Sequence, residues 1–207
     1  MIRTILVCAV VGYAFGNFPT GYLVGKKRNI DIREHGSGNI GTTNSLRVMG
    51  LKAGAVTFLG DIAKCVAAVG LCMLLCKNWG MDVKLIQLLT SFFVILGHDY
   101  PAALNFKGGK GIAATAGLLL VFDWRMMLPE LIVFLLILVF TRYVSLGSLV
   151  VSVLLPVGIA IFYHSHPDFI WMLVITLLIC ALAFLRHKDN IKRLLAGTEN
   201  QFGTPAP

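Results

Sequence analysis

The chain has 207 residues, 57% of them hydrophobic and only 14% charged, with a formal net charge of +8 and a mean hydropathy of +0.81. A soluble globular domain carries about 25% charged residues, and the apolar runs here are too long and too free of charge for a water-facing fold. The positive charge does not point to nucleic acid, because no basic stripe is interleaved with exposed aromatics; excess Lys and Arg are what the cytoplasmic loops of membrane proteins carry.

A helix needs about 20 apolar residues to cross roughly 30 Å of hydrocarbon. In chain order the candidate spans are 2–25, 53–76, 85–104, 111–122, 124–141, 144–163 and 168–185. The fourth is short: twelve residues reach only about 18 Å at 1.5 Å per residue, so it borrows residues past Asp123 or crosses part of the bilayer. The expectation is an all-α integral membrane protein, one domain over residues 1–207, with seven spans; six follow if 111–141 forms one bent element. With the N-terminus outside and the C-terminus cytoplasmic, the inner segments hold thirteen of the eighteen Lys and Arg and the outer segments four, Lys64 lying inside a span. That asymmetry is the one the positive-inside rule asks for. A cleaved signal peptide ending near Ala14 and Gly16 is the competing reading of the first segment, but it would send the most basic loop outward.

The five cysteines (Cys8, Cys65, Cys72, Cys76, Cys180) fall inside apolar runs without a C-x-x-C pair or a histidine at ligand spacing, so they read as small apolar packers. Asp61, Lys64, His98 and Asp99 lie within or at the edges of spans, where ionisable groups default to paired or functional roles. Asp61 and Lys64 are three apart and can neutralise each other; His98 is open between capping and substrate contact.

Three inner segments do not look like simple connectors. Residues 35–47 mix glycines with Ser37, Asn39, Thr42, Thr43 and Asn44 and end on Arg47. Such glycines let successive N–H groups face one concavity, a nest for anions. Residues 106–112 place Lys107, Gly108, Gly109, Lys110 and Gly111 at the start of the short fourth span, where free amides and the helix dipole favour an anion. This is not a nucleotide-hydrolysing loop, since Gly111 follows Lys110 where Ser or Thr is required. The third region joins residues 141–148, with Ser145, to the basic tail 186–195, in which His187 and Asn190 share a helix face.

Taken together, GSGNIGTTNSLRVMG at 36–50, GHDYP at 97–101, FKGGKG at 106–111, TRYVSLGS at 141–148 and RHKDNIKRLLAGTE at 186–199 resemble the bacterial acyl-phosphate:glycerol-3-phosphate acyltransferases, the PlsY family, over almost the whole chain. The resemblance implies a seven-span enzyme of the bacterial plasma (inner) membrane with a cytoplasmic site. It implies transfer of a fatty acyl group from acyl phosphate to the first hydroxyl of glycerol 3-phosphate, the first step of phospholipid synthesis, without cofactor or metal. It also implies contact with membrane lipid and with the soluble enzyme that makes acyl phosphate. By match of motif, Ser37, Arg47, Lys107, Ser145, His187 and Asn190 are the expected catalytic residues. Asn39, Thr43, Asn44, His98, Gly108, Gly109, Lys110 and Gly111 are the expected substrate contacts. Asn17 stands where the family usually has serine, and Ala113, Ala114 and Thr115 stand where the family's glycine loop usually runs into Ala-Thr.

Because both substrates carry phosphate, Arg47 and Lys107 are expected to hold glycerol 3-phosphate, with His187 and Asn190 orienting it. The 37–43 loop and Ser145 are expected to cradle the acyl phosphate. The base is open between His187 and the substrate's own phosphate. The H-x4-D pair of acyltransferases that use acyl-CoA or acyl carrier protein is missing after all five histidines. An anion carrier would need inverted repeats, and no convincing pair of halves is present; a purely structural membrane protein leaves the three polar loops unexplained.

Overall fold

A proline decides how the chain begins. The first apolar stretch divides into α1 (Ile2–Gly16) and α2 (Thr20–Lys26) around Pro19, because proline has no N–H to donate and disfavours helix in the residue before it. The computed structural model describes residues 1–203, which are helical with irregular connections and contain no strand. The carbonyls of Gly16 and Phe18, released at the break, accept from Lys64 Nζ at 3.5 and 3.1 Å.

A 3-10 turn (Ile32–Glu34) leads into α3 (Thr42–Met49), a short amphipathic helix that ends at Gly50 in the left-handed region, φ +83°. Then come α4 (Leu51–Cys76) and α5 (Val83–Asp99), the latter capped by Asp82 and closed before Pro101. The expected third span thus stops at Asp99, and Ala102–Leu104 is a separate 3-10 turn. The helix α6 (Ile112–Phe122) is short, as expected, spanning about 16 Å. It is followed by α7 (Trp124–Thr141), α8 (Val144–Phe162), α9 (Phe169–Arg186) and the polar α10 (Lys188–Leu195).

Among the described residues, five stretches are long and apolar enough to cross a membrane: Ile2–Lys26, Leu51–Cys76, Trp124–Thr141, Val144–Phe162 and Phe169–Arg186. α5 and α6 lie in the bundle but are shorter than that. The centre is built by Cys65, Val94, Leu118, Leu155, Ile159, Met172 and Ile179, drawn from α4, α5, α6, α8 and α9. The outer face of α7 carries Leu131, Ile132, Leu135, Leu136, Val139 and Phe140, all exposed, the inside-out pattern of a helix that faces lipid. Close approach of α1 to α5 depends on small residues: a methyl on Gly16 would come within 2.9 Å of the Gly97 Cα. All five cysteines are free; Cys8, Cys72 and Cys76 pack together with Ile86.

Candidate active site

The first loop is assembled around Asn44, which is 2% exposed. Its Oδ1 accepts from the Ser37 amide at 2.9 Å, and its Nδ2 donates to the carbonyls of Ile32, His35 and Asn39 at 3.3, 3.0 and 2.8 Å. With Gly36 and Gly38 at positive φ, this pins residues 35–41 into a curl that ends on the first amides of α3, which have no helical partner. One turn on, Arg47 is half-buried, and among the described residues its guanidinium has no ion pair.

The glycine turn is held from two sides. Gly108 and Gly109 donate to the last carbonyls of α5, Asp99 O at 3.2 Å and His98 O at 2.9 Å. Arg186, the last residue of α9, donates to the carbonyls of Gly109 and Gly108, each at 2.9 Å. A side chain at 109 would collide with His98 Nε2. His98 is in turn fixed by Lys64, whose ammonium donates to Nδ1 at 2.7 Å and pairs with Asp61 at 2.8 Å. An ammonium cannot accept, so His98 keeps its proton on Nε2, against the glycine turn. Asp61 and Lys64 do neutralise each other, and His98 both braces the turn and lines the cavity beside it.

That cavity, of about 340 Å³, opens where the three regions meet. Ser37, Asn39, Thr43, Asn44, Arg47, His98, Lys110, Gly111, Ser145, His187 and Asn190 all line it. Lys110 Nζ donates to Asn190 Oδ1 at 2.5 Å, and Asn190 Nδ2 donates to Glu199 Oε1 at 2.6 Å. Ser145 Oγ donates to the same Glu199 oxygen at 2.9 Å, while Arg193 Nε donates to Oε2 at 2.8 Å. His187 Nδ1 faces the Ala183 carbonyl at 2.7 Å. A carbonyl only accepts, so Nδ1 carries the proton and the lone pair is on Nε2. Burial, and then the neighbouring Lys110, hold the His187 pKa down to about 4; burial pushes Lys110 down to about 8. Asp61 is balanced by Lys64 and Glu199 by Arg193. Among the described residues, the charge left over in the cavity is that of Arg47 and Lys110, two cations suited to a phosphate dianion.

The comparisons with known proteins agree with this chemistry. The family described as "Glycerol-3-phosphate acyltransferase" matches residues 6–197. The chain belongs to that family. Proteins of that name from Clostridioides difficile (strain 630) and Shouchella clausii (strain KSM-K16) are each 40% identical to it, over 98% of this chain and 97% and 98% of theirs. Among solved structures, the chain is similar to the integral membrane glycerol 3-phosphate acyltransferase PlsY in its glycerol 3-phosphate form. The identity is 33%, the TM-score 0.84, and the match covers 97% of this chain and 96% of that one. The same protein in its lysophosphatidic acid form gives 32% and 0.80, with the same coverage.

Within this family frame, three of the expected residues lie away from the cavity wall. Lys107 is exposed and does not line the cavity; Lys110 does. The reason is the backbone: Asn105 and Phe106 take positive φ and turn the chain out, and the Gly108 and Gly109 amides then pull it back onto α5. Gly108 and Gly109 likewise support the cavity without forming its wall. Asn44 lines it, but its polar atoms are committed to the loop. Asn17 and Thr115 stand outside: Asn17 bonds Tyr13 O and the Ala102 amide, and Thr115 bonds Gly111 O. Sequence reading missed Arg193 and Glu199. Arg193 was recoverable, being three residues beyond Asn190 on one helix face; Glu199 lies past Gly197, at φ +70°, where helical spacing no longer applies.

Proposed function

We propose that the protein transfers a fatty acyl group from acyl phosphate to the sn-1 hydroxyl of glycerol 3-phosphate, giving 1-acyl-glycerol 3-phosphate and inorganic phosphate. The observation that carries this reading is the convergence of residues 37–47, 110–111 and 187–190 on one cavity with two uncompensated cations and an apolar wall of Phe58, Phe134, Leu138 and Val144. Polar recognition and an apolar flank in the same pocket suit a phosphorylated head group with a fatty chain.

In this reading Arg47 and Lys110 bind glycerol 3-phosphate, Arg47 supplying a planar fork and Lys110 a point charge. The 37–43 amides and hydroxyls hold the acyl phosphate and the oxyanion that develops on its carbonyl. The sn-1 oxygen bonds to the acyl carbon, the bond from that carbon to the phosphate oxygen breaks, and phosphate departs. His187 Nε2 accepts the hydroxyl's hydrogen bond and aims its oxygen. A histidine at about 4 does not retain a proton at neutral pH, so the proton ends on the departing phosphate. The same reading places seven crossings in a bacterial inner membrane, N-terminus out and C-terminus in, with the cavity facing the cytoplasm and its soluble acyl phosphate supplier. Protein purified in detergent is expected to release phosphate from synthetic acyl phosphate only when glycerol 3-phosphate is present, with the acyl group recovered at sn-1. Release without the acceptor, or glycerol 3-phosphate uptake into vesicles without acylation, contradicts the proposal.

A further inference from the structure

One buried carboxyl has no part in the chemistry above. Of the eighteen residues of α7 only Met126 and Glu130 are buried, and both Glu130 oxygens lack a hydrogen-bond partner among the described residues. A polar group placed at membrane depth without a partner is costly, and such a residue persists where it has a use.

Its position indicates that use. One turn toward the cavity, Phe134 lies against α8 so closely that a methyl on Gly147 would sit 2.9 Å from its ring; one turn the other way, Met126 does the same to Gly158, at 2.7 Å. Glu130 therefore sits on the α7 face that meets α8, between those two contacts. On α8, Ser148 lines the cavity and Ser152 is one turn deeper, 2% exposed, its hydroxyl proton given to Ser148 O at 2.7 Å. The apolar wall begins at Leu138 and Val144 and ends at Phe134 and Ser148. Behind it the two helices offer Glu130 and Ser152, and behind those the closed core of Phe122, Met126 and Leu155. From Leu138 to Glu130 is about 12 Å along the helix.

We infer that Glu130, facing Ser152, is the floor of the acyl-chain pocket and sets the chain length the enzyme accepts. The inference rests on the acyl-donor reading above. A chain advancing along the Leu138–Phe134 wall gains burial with each methylene until it meets a carboxyl with no partner and a hydroxyl with no proton to give. Further methylenes strip water or a mobile partner from the acid and gain nothing.

The test uses the full-length protein in detergent with pairs of straight-chain acyl phosphates differing by two methylenes, competed in one vessel so that the ratio of kcat/KM is read directly. Glu130→Ala deepens the floor and is expected to shift that ratio toward the longer donor by about fivefold or more, since a buried methylene is worth roughly fourfold. Ser152→Leu fills the floor from the opposite wall and is expected to shift it toward the shorter donor, while Glu130→Gln, similar in size and polar, keeps the wild-type ratio. The ratio does not depend on how much enzyme is folded, and Ser152→Leu carries the test if Glu130→Ala fails to fold. Ratios equal to wild type in Glu130→Ala or in Ser152→Leu overturn the inference. A wild-type enzyme that consumes no acyl phosphate at all overturns the donor assignment instead.

Discussion

Lys107 and Lys110 stand three apart in one glycine turn, and the backbone between them gives them different work. Replacing Lys110 by alanine removes one of two uncompensated cations from the cavity and the donor that orients Asn190. A hydrogen bond to a charged group is worth about 1.5–3 kcal/mol, so kcat/KM for glycerol 3-phosphate is expected to fall by roughly 10- to 100-fold. Lys107→Ala, at an exposed position outside the wall, is expected to stay within about twofold; the reverse order in steady-state kinetics contradicts the assignment. Lys110 also sets an alkaline limit. With its pKa lowered to about 8 by burial, it is charged below that pH and loses its charge above it, so kcat/KM falls as pH rises through about 8. Lys110→Arg, which stays charged, is expected to move that limb upward, and an unmoved limb assigns it to another group. Sequence reading named both lysines as anion ligands and chose Lys107 to hold glycerol 3-phosphate, whereas Lys110 is the one that lines the cavity. The choice depends on Asn105 and Phe106 entering the left-handed region and on which carbonyls of α5 the glycine amides find, and no spacing rule encodes either.

Among the elements, the turn at 105–111 is rigid because α5 and α9 both hold it. Gly109→Ala would push a methyl into His98, which Lys64 and Asp61 prevent from yielding. Overpacking of this kind costs about 1–3 kcal/mol, here expressed as displacement of Lys110. The expected outcome is a fall in kcat of about 100-fold in a protein that still elutes as a single species on size exclusion; near-normal kcat contradicts this account of the turn. The brevity of α6 was legible by counting residues to Asp123, since length is a one-dimensional property. The break at Pro19 was less so, because hydropathy runs unbroken from Ile2 to Lys26 while the hydrogen bonds do not. Lys64, expected only to pair with Asp61, also caps the carbonyls freed there, which is visible only once α4 is packed beside the break.

For the whole molecule, the bundle brings three distant polar segments to one rim while α7 turns its apolar face outward. The motifs announced that convergence through their family resemblance, and the structure adds its electrostatics: two ion pairs that cancel, one of them fully buried, and two cations without a partner among the described residues. Glu199 shows the limit of reading from sequence, since its partners Ser145, Asn190 and Arg193 come from the start of α8 and from α10 and only tertiary packing unites them. In the proposed reaction, this surplus positive charge is the seat of glycerol 3-phosphate. Calorimetric titration of glycerol 3-phosphate into the detergent-purified protein and its Arg47→Ala variant tests it directly. One molecule is expected to bind per chain, with affinity at least about tenfold weaker in the variant; equal affinities in the two proteins take glycerol 3-phosphate away from Arg47.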